Sequence, residues 1–368
     1  MGMTAGSGDT GAEQLQRWLD GGARIGVLAV GGVSLLSPGW VARPGVQWAP
    51  WAIALLCFGL AHGGIDHRLP SEKTLVVRER SRRSMTLFYL AYLSGMGATL
   101  LLWWASATLG WVFFLALSVY HFGQGDLYWS RRFGLLSEVE SGLASRLYGG
   151  GYLLLRGALP VLLPLLLFPD EFRVITREVG AEGLSGALFG GSVAEVRLGV
   201  AGMLAWQGGG ALWLIGRHRR RAEAAAAARK AVGEAGETIL LLWLVSLAPP
   251  ILSIGAYFLC WHSPRHIARL VEIMPSLRRR LEGGKSPLSS LVAYHREAAP
   301  MTLAAATLFL LLWGASLLGE ITPSRLIAPA IVFISAITVP HVLVVSRLDW
   351  FQRVWGRNGV WSAARGGG

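Results

Sequence analysis

Six of the eight histidines of this chain fall in four short motifs. A-H-G-G-I-D-H carries His62 and His67, Y-H-F-G-Q-G-D carries His121, W-H-S-P-R-H carries His262 and His266, and V-P-H carries His341. Asp66 and Asp126 lie inside two of these motifs, and Asp349 follows His341 by eight residues. An ionisable residue within an apolar segment is costly enough to mark a functional site. His262 and His266 are spaced i, i+4, so a helix projects both rings from one face and offers a clamp for one ion. His62 and Asp66 share that spacing, which lets the carboxylate orient an imidazole. Metal-bound imidazoles usually donate their second N–H to a carboxylate or carbonyl, and Asp66 and Asp126 are the expected acceptors. Imidazole donors suit iron, copper, zinc or nickel and not magnesium or calcium, and the residue types leave the choice among those four open. Cys57 and Cys260 form no C-x-x-C pair and add no thiolate ligand.

The elements that must hold these residues are membrane helices. The chain has 368 residues, 53% hydrophobic and 15% charged, whereas a soluble domain carries about 25% charged residues. Its mean hydropathy is +0.46. This composition excludes a disordered chain, and two cysteines exclude a disulfide scaffold. The 34 Lys+Arg exceed the 22 Asp+Glu by 12. The basic residues sit in short loops between apolar runs, as the positive-inside rule places them, and do not form a nucleic-acid-binding face. Runs long enough to span a bilayer cover 23–40, 48–66, 85–105, 107–126, 147–168, 196–216, 237–260, 300–319 and 325–346. The expected fold is all-α, a polytopic integral membrane bundle of about 8–10 helices. The expected plan is a polar segment over 1–20, one transmembrane catalytic domain over 21–350 and a cytoplasmic tail over 351–368.

Loop charges orient the bundle. Arg78, Arg80, Arg82 and Arg83 place the second loop in the cytoplasm, and Arg131 and Arg132 the fourth. Arg217, Arg219, Arg220, Arg221, Arg229 and Lys230 do so for the sixth. The alternation fails once, after 237–260, where Arg265, Arg269, Arg278, Arg279, Arg280 and Lys285 fall on the wrong side. A break at Pro249-Pro250 repairs it: the chain turns there and returns as a helix from about 251 through 270, making the first arm re-entrant. All four motifs then gather in one layer toward the cytoplasmic side of the inner (plasma) membrane. A single membrane histidine is ordinarily an interhelical hydrogen-bonding group; six with three aspartates at one depth predict a metal centre. His218, beside the Arg219–Arg221 run, is expected in solvent, and His295 at the interface. Arg156, alone in an apolar run, must face the bundle interior, either as partner of an aspartate such as Asp126 or as an organiser of the site. Walker, dinucleotide-binding and G-x-S-x-G motifs are absent from the sequence.

The four motifs resemble those of the Brp/Blh family, the bacterial and archaeal membrane β-carotene 15,15′-dioxygenases. The likeness is carried by H-G-x-x-D-H at 62–67, H-F-G-x-x-D at 121–126, R-G-x-L-P at 156–160, W-H-S-x-R-H at 261–266 and P-H at 340–341. The resemblance implies cleavage of the central 15,15′ double bond of β-carotene with dioxygen, giving two all-trans-retinal that serve a microbial rhodopsin. It implies one non-haem Fe(II), with His62, His121, His262 and His266 as ligands. His67 matches the motif as well as His62, and His341 is the reserve ligand. An apolar polyene would reach the metal from membrane lipid through an apolar tunnel. Tyr120, Phe122, Tyr257, Phe258 and Trp261, beside the motifs, and Arg156 are the candidate lining residues. Two rival readings remain. A membrane di-iron carotenoid or lipid hydroxylase or desaturase favours H-x-x-x-H and H-x-x-H-H boxes and takes two metals. A divalent metal or proton transporter needs polar groups at several depths.

Overall fold

Proline sets many of the helix starts. Pro44, Pro169, Pro250 and Pro275 each stand in a first turn, where a missing N–H leaves no bond unmade. The computed structural model describes residues 11–69, 82–139, 142–184, 193–316 and 327–355, and no strand occurs among them. The first helices are α1 (Gly11–Leu36), α2 (Pro38–Val41) and α3 (Pro44–Ala54). A π-helical turn (Leu55–Gly59) carries α3 into α4 (Leu60–Gly63) and a 3-10 turn (Asp66–Arg68). Next come α5 (Arg82–Ala105), α6 (Ala107–Arg132), α7 (Leu143–Leu167), α8 (Pro169–Glu178) and α9 (Val193–Gly216). Then follow α10 (Arg221–Leu247), α11 (Pro250–Ala256), a second π-helical turn (Tyr257–His262) and α12 (Ser263–Ile273). The described chain ends with α13 (Pro275–Glu282), α14 (Pro287–Ser316) and α15 (Ile327–Phe351).

Six stretches among the described residues are long and apolar enough to cross a membrane: Glu13–Leu36, Pro44–Arg68, Arg82–Ala105, Leu143–Leu167, Ala194–Gly216 and Ile327–Phe351. The fold is the all-α polytopic membrane bundle expected from composition. Of the other long helices, α6 carries His121 and Asp126, α10 the Arg221–Lys230 stretch, and α14 the His295–Glu297 stretch ahead of an apolar second half.

The chain breaks at Pro249, as expected from Pro249-Pro250, but the arm before the break is the 27-residue α10 and not a short piece over 237–248. Ala248 and Pro249 are extended, and the helix restarts at Pro250 and runs to Ile273. Two readings of loop charge need correction. Arg265 and Arg269 are buried residues of α12, each in an ion pair, because the helix continues past the WHSPRH motif. Arg131 is likewise buried, its guanidinium donating to Ser145 Oγ at 2.6 Å. The polar start also differs from expectation. Residues 11–20 belong to α1, where Leu15 and Leu19 pack on Ile267 and Leu270 and Gln16 donates to Glu272 at 3.0 Å. Arg78, Arg80, residues 1–10 and most of the expected tail (356–368) lie outside the described residues.

The helices that bring His121 to the site cross at glycine. A Cβ at Gly123 would overlap the Leu153 carbonyl, and one at Gly157 the Val119 carbonyl. Only glycine permits α6 and α7 to approach so closely.

Candidate metal centre and cavity

Five imidazoles from four distant motifs meet inside the bundle. Each is held by a different local device. His62 ends α4, one turn after the π-helical Leu55–Gly59. His262 closes the second π-helical turn, and His266 follows one turn later on α12. His121 comes from mid-α6 and His341 from α15, directly after Pro340. A π-turn widens a helix by one residue and re-aims the side chains beyond it, which is why such turns recur at functional sites. All five rings are buried.

Ring centroids lie 4.7 Å apart for His62 and His341, 4.7 Å for His121 and His262, and 4.9 Å for His121 and His341. His266 is 5.4 Å from His341 and 5.5 Å from His62. One nitrogen each from His62, His121 and His262 lies within 4.8 Å of the others, a spacing that suits a shared ion. The neighbours of Nδ1 set the tautomers. The Nδ1–H of His62 donates to the Gly59 carbonyl, that of His121 to Gln124 Oε1 at 3.3 Å, and that of His341 to Asp66 Oδ2 at 2.8 Å. Each of those three rings then keeps a lone pair on Nε2, the form that binds metal. Nε2 of His121 faces Nε2 of His262 at 3.1 Å. Nε2 of His266 and of His341 are buried with no hydrogen-bond partner among the described residues. Unpaired buried nitrogens are costly, and a cation among them satisfies the whole set. The donor set fits a soft-to-borderline transition metal.

Two expectations about the carboxylates are revised. Asp66 serves His341 and not His62, because the i, i+4 spacing is interrupted by the turn at Gly64-Ile65. Asp126 reaches no imidazole. It accepts from Arg156 Nε at 2.6 Å and from the Trp261 indole N–H at 3.1 Å. Arg156 is therefore the structural partner of Asp126, and its second arm reaches Glu237 at 3.2 Å. Glu237 also accepts from Arg265 at 2.6 Å and Arg24 at 3.0 Å. Arg265 in turn lies 3.8 Å over the Trp261 ring and pairs with Asp20. Arg269 pairs with Asp349 at 2.6 Å, tying α12 to α15. Buried charges of this kind must be paired, and here they lock the histidine-bearing helices to α10. Sequence reasoning missed Glu237 and Gln124. The only signal for Glu237 was a carboxylate opening the apolar run 237–260.

A cavity of about 500 Å³ reaches the histidines. His62, His121 and His341 form part of its wall, and most of the rest is apolar, including Trp51, Trp111 and Phe333. Of the expected lining residues, Phe122 and Phe258 line it, whereas Tyr120, Arg156, Tyr257 and Trp261 do not. The reason is helical phase: a neighbour in sequence is rotated about 100°. Tyr120 turns instead to Ser346 Oγ at 3.3 Å, and Trp261 to the Asp126 network. His67 lines the cavity but stands outside the histidine cluster, its ring 6.3 Å from that of Tyr89. His295 lies apart as well, between the carbonyls of Leu291 and Cys57, and His218 is 3.8 Å from Glu223.

The comparisons with known proteins agree with these motifs. The β-carotene 15,15′-dioxygenase family pattern matches residues 53–349. A Halobacterium salinarum protein named probable β-carotene 15,15′-dioxygenase Blh is 33% identical over 334 residues, 89% of each chain. A second protein of that organism, named probable β-carotene 15,15′-dioxygenase Brp, is 24% identical over 84% of this chain and 86% of its own. No solved structure matches. With the pattern spanning every histidine of the cluster and one relative covering nearly the full chain, this protein belongs to the β-carotene 15,15′-dioxygenase family.

Proposed function

We propose that this chain cleaves the central 15,15′ double bond of β-carotene with dioxygen, giving two molecules of all-trans-retinal. The observation that carries the reading is a cluster of buried imidazoles from four separate motifs, of which His62, His121 and His341 stand in the wall of one apolar cavity. One carbon–carbon double bond breaks and each carbon takes one oxygen atom. The reaction balances with no external reductant.

His62, His121 and His262 would hold a non-haem Fe(II), with His266 and His341 as the further donors. Bound Fe(II) supplies the capacity to activate dioxygen toward an alkene. The protein's own part is positioning. Asp66, Gln124 and the Gly59 carbonyl hold three rings in the tautomer that leaves Nε2 free for metal. Phe122 and Phe258 press on the His262 side, their rings 4.7 and 6.1 Å from its own. The apolar wall binds a hydrocarbon by dispersion and area burial and keeps water from the metal. We place the metal layer toward the cytoplasmic face of the plasma membrane, with retinal passing to a microbial rhodopsin.

The test is expression in β-carotene-producing cells with a His262→Ala control, followed by chromatography of the extract. Loss of β-carotene with retinal as sole aldehyde, absent in the control, is the expected result. Unchanged β-carotene beside a folded, metal-loaded protein would overturn the reading.

A further inference from the structure

The cavity wall is buried or half-buried almost everywhere. Among its lining residues only Leu93, Ala304 and Leu308 are exposed, with Leu93 at 61% and Leu308 at 41%. These three belong to only two helices, α5 and α14. Their cavity-side neighbours Tyr89, Tyr92, Met96, Met301 and Ala305 are half-buried. α15, which carries His341, packs against both helices and forms the wall behind them. The open side of the cavity therefore faces outward between α5 and α14.

Depth says what lies outside that opening. Leu93 stands at the midpoint of α5, and a helix of that length just spans the hydrocarbon core. α5 is the least buried of the six candidate spans, and Leu87, Leu90 and Leu101 also stand exposed on it. Leu308 lies well inside the apolar part of α14 that follows Pro300. An opening at this level, edged by leucine and alanine, meets acyl chains and not water. Ala304 and Ala305 narrow α14 there, which leaves width for a flat, conjugated chain.

We propose that the carotenoid enters, and the retinal leaves, sideways through a portal between α5 and α14 at the level of Leu93, Ala304 and Leu308. This rests on the reading of the cavity as the polyene site. The portal selects hydrocarbons dissolved in the bilayer, because a water-soluble alkene has no route to the histidines on this side. It also sets the rate at which product clears.

The test uses the full chain in vesicles containing β-carotene. Leu93→Trp and Ala304→Trp narrow the opening, while Leu101→Trp and Leu303→Trp place the same bulk on exposed faces of α5 and α14 away from the cavity. The portal variants are expected to need about tenfold more β-carotene for half-maximal rate, and the outer-face variants to stay within about twofold of wild type. Metal content and the Co(II) absorption spectrum separate a blocked portal from a damaged site. In parallel, nitroxide labels on Leu93→Cys, Ala304→Cys and Leu308→Cys of the metal-free protein are expected to slow on adding β-carotene, and labels at Leu101→Cys and Leu303→Cys to be unmoved. Portal variants with wild-type concentration dependence, or labels at all five positions behaving alike, would overturn the portal. A wild-type chain that forms no retinal overturns the proposed function instead, and the label experiment still decides whether the polyene occupies the opening.

Discussion

The Nδ1–H of His341 donates to Asp66 Oδ2 at 2.8 Å, joining residues 275 apart in sequence. The same carboxylate oxygen is 3.4 Å from the Tyr92 hydroxyl, which donates to it. One carboxylate thus fixes the C-terminal helix of the bundle against its first histidine motif. Asp66→Asn keeps an acceptor but loses the charge that holds the imidazole. The expected cost is about 10–100-fold in metal affinity. Titrating metal-free protein with Co(II) measures it, and a variant that binds as wild type does would remove Asp66 from the site.

The two histidines of A-H-G-G-I-D-H separate in space. His62 is in the cluster and His67 is beside Tyr89. His62→Ala is expected to lose bound metal and retinal formation together, while His67→Ala keeps its metal. Metal analysis of purified protein per chain decides this, and equal metal loss in both variants would contradict the geometry.

Glu237 carries no motif, yet it joins three arginines in the interior. Removing its charge leaves Arg156 and Arg265 short of a counter-ion in a dry environment. Breaking one side of a buried pair costs about 3–5 kcal/mol. Glu237→Gln is therefore expected to unfold at clearly lower temperature in detergent. Trp261→Phe, which deletes the 3.1 Å hydrogen bond to Asp126, reduces the ring face under Arg265 and shrinks a buried side chain, should cost no less than the lost hydrogen bond, about 1–3 kcal/mol. An unchanged melting temperature in Glu237→Gln would show that the network contributes nothing.

At Gly157 any side chain meets the Val119 carbonyl of α6. Overpacking at a tight site costs about 1–3 kcal/mol. Gly157→Ala should push α6 outward and, because His121 lies two residues beyond Val119, weaken metal binding as well as stability. Thermal unfolding with and without Co(II) tests both effects. A Gly157→Ala protein with full stability would mean that the helix contact is looser than the glycine implies.

Much of this protein is decided by local chemistry. The long apolar runs and scarce charges dictate membrane helices, since a run of about 20 apolar residues crosses lipid as a helix that satisfies its backbone within the segment. Pro249-Pro250 dictates a helix break, since two donors are missing there. The i, i+4 spacing of His262 and His266 brings them to one side of the site, as any helix must. Other features depend on contacts between segments far apart in the chain. Whether His62 or His67 joins the cluster follows from the turn at Gly64-Ile65, which local spacing does not encode. That Asp66 serves His341 and Asp126 serves Arg156 depends on which helix each carboxylate faces after packing. Arg265 and Arg269 read as loop charges because charge alone does not distinguish a solvated arginine from one paired in the interior. The cavity is wholly a tertiary product: residues from α3 to α15 line it, and its open side exists only because α5 and α14 stand apart in front of α15. Sequence determined the chemistry on offer, because residue type and helical phase are local; tertiary structure decided which groups meet, because packing sums contacts that no single segment contains.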